Sequence, residues 1–322
     1  MTNTHRDQLD FAVEKGEFVR WESQFRNWIT ADGAAGVTGM AGFKAEAGRY
    51  HLYVSYACPW AHRTLIYRSL KKLEDIITVS VVNPKMTDIS WDFEDYPGAT
   101  GDTLYKVKTM QEIYDKAADD FDGVVTVPVL WDKKTQTIVN NESSEIIRML
   151  DSAFNGLTGS DETYYPDEFK AEIDEVNEFI YHNINNGVYK TGFARTQAAY
   201  EKAFDKLFSA LDEIEYRLAK QRYLVGDRLT EADLRLFPTL IRFDSVYVGH
   251  FKCNLKRIED YANLSNYVRD IYQVPGIKET VNMDHIKTHY YWSHTSINPT
   301  RIVPVGPDVD YMCEHNRGRH KK

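Results

Sequence analysis

The feature that most constrains the fold is a Cys-Pro pair where a strand-like segment gives way to a helical pattern. Residues 50–55 alternate in apolar character, and a helical pattern then continues to Leu73. Pro59 lacks an N–H and has a φ angle suited to the first helical position, so Cys58 is predicted at the N-cap. The helix dipole and the unpaired N–H groups there favour a negative charge. We therefore interpret Cys58 as a nucleophilic thiolate.

The sequence around Cys58 supplies no second thiol at redox spacing. Ala61 occupies the position three residues later, where a C-x-x-C motif has its resolving cysteine. A mixed disulfide on Cys58 would need an external thiol, and glutathione is the abundant cytosolic candidate. An ordinary thiol with a pKa of ~8.5 is only about 3% ionised at pH 7, so a nucleophilic role requires a lowered pKa. The alternative is an inert cysteine that caps a buried helix.

Composition narrows the class of protein. A chain of 322 residues is long enough for two domains, and a net charge of -9 argues against a nucleic-acid partner. The three cysteines are far apart and odd in number, which is a poor disulfide framework. The first ten residues are polar, so we expect neither a secretory signal nor a membrane span there. We expect a cytoplasmic protein with no membrane partner and no bound metal.

The pattern of residues 50–151 predicts a mixed α/β domain. The apolar run 76–82 predicts a strand buried on both faces, which makes a parallel βαβ unit with the strand and helix before it. A long insertion, 84–107, and a helix around 109–118 follow. Residues 124–131 have strand character, but Pro128 lies inside them, and we predict a cis Val127–Pro128 bond.

A short strand, 137–139, then leads through two asparagines into a helix from about Glu142 to Leu150. Ser143 or Ser144 is expected at its N-cap, which makes a second helix N-terminus able to hold an anion. After a polar linker the chain is helical to about Tyr290. In this region Thr230 and Asp233 have the spacing of a capping box.

This order of elements, with a cysteine at the first helix and a proline at the third strand, resembles the glutathione transferases. The resemblance implies an α/β thioredoxin-like N-terminal domain plus an all-α C-terminal domain, with N- and C-terminal extensions. The boundaries expected are 1–47 for the N-terminal extension, 48–151 for the thioredoxin-like domain, 152–164 for a linker, 165–290 for the helical domain with the quinone pocket, and 291–322 for the C-terminal extension.

The resemblance also implies a glutathione site. Glu142 and Ser143 match the residues that hold the γ-glutamyl end, and the backbone of Val127 meets the cysteinyl part. Trp91 matches an indole that donates to glutathione. The segment Val124, Val125 and Thr126 completes the site, although Val124 stands where a basic residue would help to hold a carboxylate. Helix capping alone would also explain Glu142 and Ser143.

Longer strings are similar to one class in particular, the glutathionyl-hydroquinone reductases or Xi class. These strings are 48–63, 126–131, 141–149 and 289–294, together with Asn298-Pro299 and Gly306-Pro307. The class implies reduction of a glutathionyl-hydroquinone by glutathione, through a Cys58–glutathione mixed disulfide. It implies no tightly bound cofactor, glutathione as co-substrate and a homodimer.

The same resemblance assigns roles to three tyrosines. It implies Tyr189 as proton donor and acceptor, and Tyr247 and Tyr290 as groups that lower the pKa of the thiol and line the quinone pocket. From the sequence alone each would be a half-buried core tyrosine. His62 and Arg63 either support the thiolate or are solvated side chains. An Omega-like thioltransferase or dehydroascorbate reductase, and a non-catalytic binding module, are the alternative functions.

Overall fold

The computed structural model describes residues 12–14, 16–87 and 90–320. Over these residues the chain forms two compact units. The first consists of Trp21–Glu162 and Glu279–Thr295. The second consists mainly of Thr163–Lys278, joined by residues 12–14 and 16–20 and by residues 296–320.

The second unit includes a short N-terminal hairpin. Strands β1 (Ala12–Glu14) and β2 (Glu17–Val19) pair antiparallel through a turn at Gly16. Gly16 has a φ of +86°, and a Cβ there would lie 2.9 Å from Cγ2 of Thr196. Both the backbone conformation and the close approach therefore require glycine at this turn.

The first unit contains the predicted βαβ arrangement. Strand β3 (Tyr50–Val54) leads into helix α1 (Pro59–Leu70), which is followed by strand β4 (Thr78–Val81). Strands β3 and β4 are parallel, and every side chain of β3 is buried. Proline at the first helical position explains why α1 begins where it does.

The remaining elements of the sheet also follow the expected order. Helix α2 (Met110–Ala117) precedes strands β5 (Val129–Asp132) and β6 (Thr137–Asn140), and helix α3 (Ser143–Ser152) follows them. The four strands lie in the order β4-β3-β5-β6, with β5 antiparallel to both of its neighbours. The thioredoxin-like arrangement of the sheet is thus confirmed.

Two local predictions in this unit have different outcomes. The Val127–Pro128 peptide bond is cis, as predicted. Strand β5 begins only at Val129, because a proline cannot donate to the ladder. The N-cap of α3 is Glu142, so the expectation of Ser143 or Ser144 is wrong. The Glu142 side chain accepts from the backbone N–H of Ser144, at 3.0 Å, and thereby satisfies one of the first N–H groups of the helix.

The other helical segments belong mostly to the second unit. The α-helices are α4 (Asn155–Thr158), α5 (Lys170–Ile180), α6 (Gly187–Gly192), α7 (Gln197–Lys220), α8 (Glu231–Arg242), α9 (Leu264–Tyr272) and α10 (Met283–Thr288). π-Helical turns occupy Tyr181–Asn185, Phe243–Tyr247 and His289–Ser293. Short 3₁₀ turns lie at Asp167–Phe169, Ile258–Asp260, Lys278–Thr280 and Arg317–His320. No helix within the described ranges has both the length and the apolar character needed to cross a bilayer.

The predicted capping box at the start of α8 is present and is part of a buried network. The Asp233 carboxylate accepts from the backbone N–H of Thr230, at 2.8 Å, and from its hydroxyl, at 2.9 Å. It also accepts from the N–H of Leu224, at 2.8 Å, and from the hydroxyl of Tyr267, at 2.7 Å. Burial raises the pKa of Asp233 to about 6, because these donors only partly replace the water that the carboxylate has lost.

The raised pKa of Asp233 predicts a pH-dependent stability. The folded protein binds the proton more tightly than the unfolded chain, whose pKa is 3.8, so this stabilisation is complete below about pH 4 and is lost as the pH rises through about 6. The full change is about 3 kcal/mol. The cost of Asp233→Asn should therefore shrink by about this amount between pH 4 and pH 7 in denaturant unfolding. A pH-independent cost would contradict the prediction.

Candidate active site

Cys58 lies at the N-cap of α1 with an extended backbone, φ -74° and ψ 120°. Its carbonyl oxygen accepts from the N–H of His62 at 3.0 Å, and its own N–H donates to Ser55 O at 3.2 Å. The side chain points toward the cis-proline segment, where the thiol donates to the carbonyl oxygen of Val127 over 3.4 Å. Cys58 is half-buried. The sulfur therefore combines access to solvent with the electrostatic field of a helix N-terminus.

The two residues whose role the sequence left open are both buried. His62 is 0% exposed, and its Nε2 lies 2.8 Å from the hydroxyl oxygen of Thr280. Arg63 is 2% exposed, and its guanidinium carbon lies 4.6 Å from the centre of the Trp60 ring. Its Nη1 also donates to the hydroxyl of Ser143 at 3.4 Å. Neither residue is a solvated helix side chain, and Arg63 connects α1 with the start of α3.

Glu142 and Ser143 lie at the N-terminus of α3. Burial opposes ionisation of Glu142, but hydrogen bonds from the backbone and hydroxyl of Ser144, the charge of Arg63 and a hydrogen bond from Ser23 outweigh it and hold the pKa of the carboxyl below its usual value. The Ser23 hydroxyl donates to Oε2 over 3.1 Å. Glu142 is therefore a carboxylate at neutral pH, and this end of the helix has a fixed negative group.

The segment before the cis-proline brings a backbone carbonyl to the site. Val125 and Val127 are buried, whereas Val124 and Thr126 are half-buried. The carbonyl oxygen of Val127 accepts from the Cys58 thiol over 3.4 Å, so a main-chain group of this segment lies at the sulfur. This geometry suits recognition of a peptide-like ligand by main-chain hydrogen bonds.

Tyr114 is a residue at this site that the sequence analysis missed. Its hydroxyl donates to Thr126 O at 3.0 Å and accepts from Thr126 N at 3.2 Å and from Asn141 Nδ2 at 3.1 Å. Burial raises the pKa of Tyr114, so the hydroxyl keeps its proton. It joins the cis-proline segment to the turn that precedes Glu142. The helical spacing of Met110, Ile113 and Tyr114 indicates only a core residue.

Trp91 and Tyr290 also belong to the first unit. Trp91 is buried and stacks on the imidazole of His289, with ring centres 4.6 Å apart and planes at 23°. The Nδ1 of His289 lies 3.0 Å from Pro84 O, which fixes the ring in place. The next residue, Tyr290, is buried in a π-helical turn and contacts His294 edge to face. His289 was not selected from the sequence, where it is one of ten histidines.

Tyr189 and Tyr247 lie together in the second unit, with ring centres 6.2 Å apart. Tyr247 ends a π-helical turn and stacks on Phe251 at 5.4 Å. The guanidinium carbon of Arg20 lies 5.1 Å from the centre of the Tyr189 ring, and Asn186 holds Arg20 through a 2.7 Å hydrogen bond from Nε to Oδ1. π-Helical turns are rare in proteins overall, but those that occur frequently lie at functional sites. Their occurrence beside these tyrosines therefore favours a functional role for this region.

Comparison with known families matches both units. The family model for the glutathione S-transferase N-terminal domain matches residues 57–153, and the model for the C-terminal domain matches residues 197–270. The chain therefore belongs to the glutathione S-transferase family.

Individual relatives narrow the class. Glutathionyl-hydroquinone reductase YqjG of Escherichia coli is 57% identical over 97% of this chain and 96% of its own length. Glutathionyl-hydroquinone reductase PcpF of Sphingobium chlorophenolicum is 51% identical over 91% and 90%. The glutathione-bound structure of YqjG superposes with a TM-score of 0.90 at 56% identity, covering 95% of this chain and 98% of that one. The Xi transferase of Phanerochaete chrysosporium gives 0.90 at 51% identity, covering 97% and 100%. Within its family the chain belongs with the glutathionyl-hydroquinone reductases of the Xi class.

The position of Tyr114 predicts a measurable structural role. Tyr114→Phe leaves the backbone N–H and C=O of Thr126 and the amide of Asn141 without their shared partner, and should lower the free energy of unfolding by about 1–3 kcal/mol. Tyr200→Phe is the matched control, since it removes one hydroxyl at the surface, bonded to Lys252 O at 2.8 Å. Guanidinium unfolding should show less than about 1 kcal/mol for that control. Equal costs for the two variants would contradict the role of Tyr114.

Proposed function

We propose that this chain reduces glutathionyl-hydroquinones to hydroquinones, with glutathione as the reductant and Cys58 as the nucleophile. The observation that carries the proposal is the half-buried Cys58 sulfur at the start of α1, 3.4 Å from Val127 O. Ala61 stands at the position of a resolving cysteine, so release of a mixed disulfide falls to a second glutathione. YqjG and PcpF, two relatives named as glutathionyl-hydroquinone reductases, support the same reaction.

The proposed glutathione site lies along the three segments already described. The Glu142 carboxylate faces the γ-glutamyl ammonium group, and Ser143, with the N-terminus of α3, faces the carboxylate of the same residue. The backbone of Val127 pairs with the cysteinyl unit, and the segment 124–126 extends that surface. Trp91 donates its indole N–H to the tripeptide. The ionised state of Glu142 supports this orientation, because it matches the positive end of the ligand.

The chemistry requires that the ring leave as something more stable than an aryl carbanion. Transfer of a proton to the ring carbon that carries sulfur, with loss of the proton from the adjacent ring hydroxyl, converts the hydroquinone conjugate into a ketone tautomer. The Cys58 thiolate then attacks the glutathione sulfur, the carbon–sulfur bond breaks, and its electron pair forms an enolate. Protonation of the enolate oxygen gives the hydroquinone. A second glutathione thiolate attacks the mixed disulfide, which releases oxidised glutathione and restores Cys58.

In this mechanism Tyr189 is the proposed proton donor and acceptor at the ring. Tyr247 and Tyr290 are proposed to hydrogen-bond near the sulfur, to lower the pKa of the thiol and to line the quinone pocket. The contact between Tyr189 and Tyr247 supports a shared aromatic surface for these two residues. A homodimer, a cytoplasmic location and the absence of a tightly bound cofactor belong to the same proposal.

A thioltransferase of the Omega type is the second candidate function. A relative in Schizosaccharomyces pombe, named glutathione S-transferase omega-like 2, is 46% identical over 97% of this chain and 100% of its own length. This activity would also use Cys58, but it breaks a disulfide and needs no proton transfer to a ring. A non-catalytic binding module would need neither the Cys58 thiol nor a proton donor at the ring.

The first step can be isolated by withholding free glutathione. After one turnover with glutathionyl-hydroquinone, intact-protein mass spectrometry should find one glutathione adduct, peptide mapping should place it on Cys58, and chromatography should detect one equivalent of hydroquinone. Cys58→Ser should give neither product. Cys313→Ser, which alters another half-buried cysteine, should give both. Hydroquinone release by Cys58→Ser at the wild-type rate would refute the nucleophile.

The role of Tyr189 can be tested by comparing two substrates. Tyr189→Phe should slow the reduction of glutathionyl-hydroquinone by about 10²–10⁴-fold, since general acid–base catalysis typically contributes this much. It should hardly change the rate at which a small glutathione mixed disulfide is reduced, because the leaving group there is a thiolate and no ring has to be protonated. Tyr200→Phe serves as the control, with both rates near wild type. Equal slowing of both substrates by Tyr189→Phe would count against proton transfer.

A further inference from the structure

We propose that the second unit has a binding site for a compact, multiply charged oxyanion of the phosphate type. The site is a pocket of about 170 Å³ formed by β2, the π-helical turn Tyr181–Asn185, α6 and α7. Small residues make the space, namely Gly187, Ala199 and Ala203, and the buried ring of Phe18 forms an apolar wall.

Three lysines line this pocket, Lys190 from α6 with Lys202 and Lys206 from α7. Glu17 is the one carboxylate among the described residues that line it, and its Oε1 lies 2.6 Å from Lys202 Nζ. His182 also lines the pocket, and its Nε2 lies 2.8 Å from Oε1 of Glu178. One carboxylate therefore stands against three ammonium groups. The pocket carries two positive charges in excess.

Lys190 is the least exposed of the three lysines. Its ammonium group is half-buried and donates to His182 O over 3.2 Å. Burial lowers the pKa of Lys190, and repulsion from Lys206 lowers it further. The pKa of Glu17 is lowered in turn, first by its hydrogen bond with Lys202 and also by the charges of Lys206 and Lys190. Each group thus responds to a local surplus of positive charge, which a bound anion would neutralise.

The size of the pocket and the type of cation select the ligand class. A volume of 170 Å³ lies below the range of about 300–1,000 Å³ found for drug-sized ligands, which favours a small ion or a short organic phosphate. Lysine ammonium groups act as point charges and bind phosphate oxygens without the planar matching that arginine provides for carboxylates. Glu17 already occupies Lys202, so Lys190 and Lys206 are the groups left to bind the anion.

Glu17 has a specific consequence in this arrangement. Its carboxylate competes with any anion for Lys202 and repels an anion in the pocket. Its removal should therefore strengthen binding, whereas removal of the lysines should weaken it. A change in net charge alone would have the same signs, so a site is distinguished by comparing each variant with a variant of equal charge change placed away from the pocket.

The test is isothermal titration calorimetry on the full chain at low ionic strength, with inorganic phosphate in one series and glycerol 3-phosphate in the other. The double variant Lys190→Gln/Lys206→Gln should bind at least about tenfold more weakly than wild type. Its control is Lys170→Gln/Lys256→Gln, two exposed lysines of the same unit that pair with Asp167 and Asp212. This control changes the net charge equally and should bind like wild type.

The variant Glu17→Gln should bind severalfold more tightly, and Glu213→Gln, at an exposed position of α7, should not. A gain in affinity cannot arise from misfolding. The result for Glu17→Gln therefore tests the proposal even if the double lysine variant is unstable. Tighter binding of the ester would identify an organic phosphate, and tighter binding of the inorganic ion would identify free phosphate. No binding of either probe, or equal effects of each variant and its control, would overturn the proposal.

Discussion

The start of α1 is the constraint on which the first unit depends. Pro59 opens the helix, the extended backbone of Cys58 directs the sulfur away from it, and Val127 O receives the thiol. Cys58 and Val127 meet because Tyr53 of β3 pairs with Val129 of β5. This register of the antiparallel strands brings the segment after β3 and the segment before β5 to one end of the sheet. A slip of one residue in this pairing would separate the sulfur from the cis-proline segment.

Buried polar groups hold the surrounding segments in place. The Tyr114 hydroxyl binds Thr126 and Asn141, and Arg63 joins α1 to Ser143. Burying such groups is costly unless each has partners, and partners that come from different segments fix the distances between those segments. The backbone atoms proposed to receive glutathione therefore belong to a framework whose distances are set by contacts within the protein.

Sequence reasoning found the elements that have strong local signals. Pro59 and Pro128 marked the start of α1 and the cis bond, and the Thr230–Asp233 spacing marked a capping box, because each feature depends on a few neighbouring residues. It missed Tyr114, whose role depends on partners 12 and 27 positions away. It also chose serine over glutamate as the N-cap of α3, since serine has the stronger general preference. Those outcomes depend on tertiary contacts that no local pattern encodes.

The π-helical turns Phe243–Tyr247 and His289–Ser293 carry a consequence for how such a chain tolerates length changes. A π turn closes its hydrogen bond over five residues, where an α turn uses four, so it accommodates about one extra residue per turn. Each residue in an α-helix advances the side chain direction by about 100°. Deleting one residue from an ordinary α-helix therefore rotates everything beyond it, whereas deleting one residue from a π turn lets the turn regularise to α geometry and leaves the direction of the chain beyond it nearly unchanged. These two turns are thus positions at which the chain can lose one residue with less rearrangement than in the interior of an α-helix.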